Sequence, residues 1–95
     1  MAQVATVAED RLDYLLDYLT DAWQELPRIV TEIDDWDLLE QLDYVEEWGA
    51  KDSLAHKLEE LLDTPSANDA QRARYADLQR LISRNRPILD SLRAS

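Results

Sequence analysis

The chain has 95 residues with one glycine, no cysteine, no phenylalanine and a net charge of −11. This length predicts one domain with a modest core, and the absence of cysteine excludes disulfide bonds and thiolate chemistry. The strong negative charge argues against direct binding to nucleic acid or to an anionic membrane surface.

Acidic residues are concentrated in the first half of the chain. Residues 1–48 carry 14 acidic and 2 basic side chains, whereas residues 49–95 carry 7 acidic and 8 basic ones. The first ten residues lack the basic and apolar regions of a secretory signal, and no apolar run approaches the roughly 18 residues of a membrane span. We therefore predict a cytoplasmic single domain over residues 1–95, with an acidic N-terminal half (1–48) and a mixed to basic C-terminal half (49–95).

The first helix is predicted to begin at Thr6, where T-V-A-E has the pattern of a capping box with Glu9 at the third helical position. At about 100° per residue, its apolar residues fall on one stripe. Pro27 is expected either to end this helix or to kink it, since Val30 and Ile33 keep the same phase beyond it. The stripe consists of Leu12, Leu15, Leu16, Leu19, Ala22, Trp23 and Leu26.

The second helix is predicted to run from the aspartates of I-D-D-W-D to Trp48. Gly49, the single glycine, has the position of a residue that ends a helix. The leucines after Gly49 follow a different phase, so a short third helix is predicted from Ser53 to Leu62. The apolar face of the second helix consists of Leu38, Leu39, Leu42, Val45 and Trp48, and its start is capped by Asp34, Asp35 and Asp37.

The stretch D-T-P-S-A-N-D predicts a loop, followed by a fourth helix that starts by Ala67 and is capped by Thr64 or Ser66. Pro87 interrupts the apolar stripe of this helix. Because no segment alternates like a strand, we predict an all-α fold, a small antiparallel bundle of three to four helices, some kinked at proline. The predicted core is Leu15, Leu16, Leu19, Trp23, Leu42, Val45, Leu58, Leu61, Leu78 and Ile82.

Aspartates recur every three to four residues on the first helix, opposite its leucines. Such like-charged neighbours cost about 0.2–0.5 kcal/mol per pair, so stability alone does not favour them. Tyrosines stand beside these aspartates, and the second helix repeats the arrangement. Aromatic rings among carboxylates are typical of contact surfaces. The predicted partner-binding residues are Asp10, Asp13, Tyr14, Asp17, Tyr18, Asp21, Glu40, Asp43, Tyr44 and Glu47.

This face predicts a non-catalytic interaction module, similar to a small inhibitor, antitoxin or adaptor, that binds a basic protein. Reversing Asp13 and Asp17 to lysine is then expected to leave the fold intact and to abolish association. Three alternatives stay open. The aspartates could form only a solvated face, as most runs of charge do. The acidic face could mimic nucleic acid, or arginines of the fourth helix could cover it in a homo-oligomer; they are Arg72, Arg74, Arg80, Arg84, Arg86 and Arg93.

Catalytic, cofactor and metal sites are not predicted. A single glycine excludes a glycine-rich phosphate loop, and the many carboxylates are expected to be exposed, where pKa tuning is weak. His56 is the only histidine, and its phase opposes the leucines of its helix. Surface pairing with Glu59 or Glu60 explains His56 better than metal ligation does, because no second imidazole or thiolate is present.

Overall fold

The computed structural model describes the backbone of residues 2–65 and 67–94 and the side chains of residues 11–65 and 67–94. Three helices make up nearly all of this part of the chain, which contains no β-strand, so the predicted all-α class is confirmed. They are α1 (Ala2–Glu32), α2 (Leu38–Leu62) and α3 (Asp69–Ala94), with a 3-10 turn at Ile33–Asp35 between the first two. No helix within the described ranges is long and apolar enough to span a membrane.

The bounds of α1 place its start at Ala2 rather than at the predicted Thr6. The predicted capping box of Thr6 and Glu9, like the side chain of Asp10, lies outside the described residues.

α1 is the central helix, because its apolar stripe packs against both α2 and α3. The rings of Trp23 on α1 and Trp48 on α2 meet edge to face, with 4.7 Å between their centroids. Both indoles are buried, and they lie at the middle of a single hydrophobic core. The leucines of α1 that are fully buried are Leu12, Leu16, Leu19 and Leu26.

α1 continues through Pro27 because another helix compensates for the hydrogen bond that the proline removes. Proline has no N–H, so the carbonyl group of Trp23, four residues earlier, loses its usual helical donor. The buried side chain of Asn85 on α3 donates to that carbonyl oxygen at 2.9 Å. The side-chain amide of Asn85 thus supplies the missing hydrogen-bond donor of α1 and joins α1 to α3. A bend of the helix axis at Pro27 or Pro87 stays a prediction.

α2 is one continuous helix, so the predicted break at Gly49 and the separate helix from Ser53 to Leu62 are wrong. Gly49 does not have a positive φ, and its position is exposed within the helix. The buried stripe runs through it without interruption, at spacings of three and four residues. Its members are Tyr44, Trp48, Lys51, Ala55, Leu58 and Leu62. This stripe is hard to recognise from sequence because it includes a lysine, Lys51, and because Tyr44 was predicted to be a partner-binding residue.

The first leucines of α2, which the sequence places on its apolar face, lie outside the core, so the prediction that Leu42 is core is wrong. Leu38 is 68% exposed, Leu39 73% and Leu42 49%. Val45 is half-buried and is not part of the core cluster. The rest of the predicted core is correct: Leu15, Leu16, Leu19, Trp23, Leu58 and Leu78 are buried, and Leu61 and Ile82 pack half-buried against them.

The caps of α2 and α3 are side chains of the loops before them. The Asp37 carboxylate accepts from the backbone N–H of Glu40 at 3.0 Å, as the sequence predicts for one of the three aspartates. At α3 the predicted caps are wrong, because Asn68 caps the helix. Asn68 and Gln71 exchange side-chain-to-backbone hydrogen bonds of 2.8 and 3.0 Å, which form a capping box. α3 then continues through Pro87 to Ala94.

Candidate partner-binding surface

The aspartates of α1 divide into those that face α3 and those that do not. Asp13 accepts a hydrogen bond of 3.1 Å from the Gln71 amide, and Arg74 lies 3.5 Å from it. Arg74 also pairs with Asp17. A single arginine of the same chain thus pairs with two aspartates of α1, both of which stay more than half exposed. Reversing Asp13 and Asp17 to lysine would place two cations beside Arg74, which argues against the expectation that the fold stays intact.

The part of the stripe that faces solvent is built on Tyr14, Tyr18 and Asp21. The two tyrosine rings stack nearly parallel, 8° apart, with 6.2 Å between centroids. Tyr14 is 66% exposed and Tyr18 is 38% exposed. Asp21 is exposed and forms no ion pair with any described residue. This arrangement places apolar ring area and an uncompensated carboxylate on the same side of α1.

Tyr44, the predicted contact residue of α2, lies mostly inside the molecule. Its ring packs edge to face against Trp36 at 5.7 Å and against Trp48 at 6.3 Å. Burial raises the pKa of Tyr44, and the negative charges of Glu25 and Glu47 raise it further. Tyr44 therefore holds α2 in place and offers only part of its ring to a partner.

Lys51 connects the two tyrosine-bearing helices and was missed from sequence. Its side chain is buried, and its ammonium nitrogen lies 6.0 Å from the ring centroids of Tyr18 and Tyr44 and 5.1 Å from that of Trp48. Glu47 lies 3.6 Å from the same nitrogen. A buried lysine needs such a set of aromatic faces and a carboxylate. The spacing of Lys51 from Trp48 and Leu58 is the sequence signal that could have found it.

The predicted acids of α2 are all exposed, but their environments differ. Glu47 is paired with Lys51, whereas Asp43 has no cationic partner among the described residues. The Glu40 carboxyl group lies beside Asp37. A hydrogen bond to Asp37 and repulsion by its charge raise the pKa of Glu40, while hydrogen bonds with Glu40 lower the pKa of Asp37. Repulsion between neighbouring carboxylates is thus a real feature of this end of α2.

Most arginines of α3 are already paired within the chain. Besides Arg74, Arg86 and Arg93 both approach Asp52, at 3.9 and 2.9 Å, and Arg72 and Arg80 pair with aspartates of their own helix. Arg86 also lies over the Trp23 ring at 5.1 Å. Arg84 is the exception within the described ranges. Three of these arginines, Arg74, Arg86 and Arg93, join α3 to α1 or α2.

The surface offers little to a metal ion in the part of the chain that the structure describes. His56 is exposed, with its Nδ1 atom 4.0 Å from a carboxylate oxygen of Glu59. No three His, Cys, Asp or Glu side chains of the described residues are grouped closely enough to hold a metal.

No protein-family model matches this chain, and neither a curated protein nor a solved structure shows significant similarity to it.

Proposed function

We propose that the chain is a non-catalytic protein–protein interaction module that binds a basic partner, in the manner of an inhibitor, antitoxin or adaptor. The contact region is the acidic tyrosine face, defined by Tyr14, Tyr18 and Asp21 of α1 together with Glu40, Asp43 and Glu47 of α2. The observation that carries the proposal is the exposed, stacked pair of Tyr14 and Tyr18 beside Asp21, which has no ion-pair partner among the described residues.

The tyrosines and the carboxylates have different roles in this proposal. Two stacked rings offer a large apolar area at low entropic cost, which is why tyrosine is enriched where interfaces are strongest. The carboxylates raise the rate of encounter with a basic surface and select against acidic proteins. Tyr18 already lies near one ammonium group, that of Lys51, at 6.0 Å. A lysine or arginine of the partner could approach the exposed ring of Tyr14 in the same way.

Two of the alternatives, the homo-oligomer and the nucleic-acid mimic, have less support. In a homo-oligomer, arginines of a second copy would cover the acidic face, but five of the six α3 arginines already pair within their own chain. In a nucleic-acid mimic, carboxylates should approach the charge spacing of about 3.4 Å along a DNA strand. Successive aspartates of the α1 stripe are about 6 Å apart along the axis. In addition, Arg74 pairs with Asp17, which lowers the net negative charge of this row of aspartates.

Site-specific photo-crosslinking in the native host tests the proposal. A benzophenone amino acid is placed at Tyr14, and, as a matched control, at the exposed Glu60 of α2. We expect a discrete adduct from position 14 alone, containing a protein with a basic surface. Its yield should fall as salt is added, because exposed charges are screened over about 8–10 Å at moderate ionic strength.

The second variant in this experiment carries Asp21→Lys with the crosslinker at position 14. Reversing this one charge leaves the α1–α3 pairs unchanged, so the fold should be kept and the adduct should be lost. The proposal is wrong if positions 14 and 60 give the same adducts, or if the Asp21→Lys chain crosslinks as strongly as its parent.

A further inference from the structure

The exposed leucines at the start of α2 are not part of the acidic tyrosine face, although they lie on the same helix as its residues Glu40, Asp43 and Glu47. We call Leu38, Leu39 and Leu42 the leucine strip. Three exposed leucines on adjacent turns forgo the stabilisation that burial of an apolar side chain gives. Leu38, Leu42 and the half-buried Val45 follow the i, i+4, i+7 spacing by which one helix contacts another.

The sequence segment that contains the leucine strip carries charges of one sign. Residues 34–47 contain no basic side chain, and every acidic one among them is exposed. Among the described side chains, Lys51 is the one lysine or arginine within 4.0 Å of any of these acids, and it pairs with Glu47 only. The acids are Asp34, Asp35, Asp37, Glu40, Asp43, Glu46 and Glu47.

From this combination we infer that the leucine strip binds the apolar face of a basic amphipathic helix supplied by another protein. An apolar row between carboxylates fits a helix whose apolar stripe is flanked by lysines or arginines. The row from Leu38 to Val45 is about 10 Å long, which corresponds to two helical turns of a partner. Its apolar contacts hold the complex, and the carboxylates select the charge of the helix.

A second copy of this chain is the less suitable occupant. Pairing two leucine strips would bring two sets of exposed carboxylates together, with no free cation between them. The basic helix of a second copy is α3. Its apolar residues pack in the core of their own chain, and most of its arginines are already paired. The inference therefore names a partner chemistry for the leucine strip. The acids beside the strip include Glu40, Asp43 and Glu47 of the acidic tyrosine face, but the inference does not depend on the role of Tyr14 and Asp21.

The test uses a synthetic peptide of about 18 residues in which leucine and lysine repeat with helical period. A scrambled peptide of equal composition, without an apolar face, controls for charge attraction. Calorimetry measures the Kd of both peptides for the parent, for Leu38→Gln/Leu42→Gln, and for Ala73→Gln at an exposed position of α3. Light scattering follows the oligomeric state of the parent.

We expect the amphipathic peptide to bind the parent at least about tenfold more tightly than the scrambled one, and the double variant to lose that difference. The Ala73→Gln chain should behave as the parent. In the parent, peptide-induced NMR shifts should centre on residues 38–46, a readout that does not require any variant to fold. The Tyr14/Asp21 surface should shift little, so the two proposals fail separately.

Three results would overturn the inference. Equal Kd values for the amphipathic and the scrambled peptide would show that charge attraction alone accounts for binding. Unchanged binding by the double variant, or NMR shifts elsewhere, would place the contact on another surface. A parent dimer that the double variant abolishes would identify a second copy as the occupant.

Discussion

Tyr75 of α3 makes a hydrogen bond that couples α3 to α2. Its hydroxyl group donates to a carboxylate oxygen of Glu59 at 2.6 Å. Burial, that hydrogen bond and the charge of Glu59 together raise the pKa of Tyr75 to about 12, from an ordinary value of 10.0. The folded chain therefore keeps this proton at a pH where the unfolded chain has lost it.

This shift predicts a loss of stability in alkali. The contribution of Tyr75 is fully present below pH 10.0, where both states are protonated, and it declines as pH rises towards about 12. Replacing Tyr75 with Phe should remove that part of the decline. Urea unfolding at about pH 9 and about pH 12 measures it, with Tyr14→Phe as a control at an exposed ring. An equal decline in the parent and in Tyr75→Phe would contradict the assignment.

At the scale of the helix, the start of α2 was easier to predict than its continuity beyond Trp48, where the sequence predicted an end that the structure does not have. The Asp37 cap is a local pattern, readable from four residues. The continuity through Gly49 is set by packing of Trp48 and Lys51 against α1, which a local pattern does not contain. A glycine ends a helix where a left-handed residue is needed, and the tertiary structure needs none here.

Gly49 is consequently a weak point inside α2 rather than its end. A Cβ atom added there meets no atom within 4 Å. Gly49→Ala should raise the free energy of unfolding by about 0.8–1 kcal/mol, because alanine loses less backbone entropy on forming a helix. Ala50→Gly, at the neighbouring exposed position, should lower it by a similar amount. Destabilisation by Gly49→Ala in urea unfolding would mean that α2 is broken at this residue.

The contact between Asn85 and α1 gives a prediction about a pair of residues. Asn85→Ala leaves the carbonyl of Trp23 buried without a donor and should cost about 1–3 kcal/mol. In a Pro27→Ala background the restored N–H of residue 27 can serve that carbonyl, so the same change should cost less. A double-mutant cycle in urea measures the difference. If the two costs are equal, Asn85 does not compensate for the proline.

At the scale of the whole molecule, the core is centred on α1 and leaves the first turns of α2 outside it. Leu19→Ala should therefore cost about 2–5 kcal/mol, as fully buried leucines do. Leu42→Ala should change the free energy of unfolding by no more than about 0.5 kcal/mol, since its side chain already faces solvent. Thermal unfolding of both variants compares them; a large loss from Leu42→Ala would place the leucine strip in the core.

The same geometry explains which parts of the candidate surface were readable from sequence. The exposure of Tyr14 and Asp21 follows from the phase of a long helix with one strong leucine stripe. The pairing of Asp13 and Asp17 with Arg74 does not, because it depends on which side of α1 the third helix occupies. Leu42 of the leucine strip was wrongly predicted to be core, because amphipathicity alone does not identify the surface that an apolar face contacts.

The enclosure of Lys51 has a consequence for chemical labelling. The chain has two lysines, and the side chain of Lys57 is 59% exposed, whereas Lys51 is surrounded by three rings. A reagent that acylates amines must reach the side-chain nitrogen of lysine. In the folded chain it should therefore modify Lys57 rather than Lys51. A dye can thus be attached to α2 at one lysine without mutagenesis. The rate at which Lys51 is acylated then reports how often α1 and α2 separate.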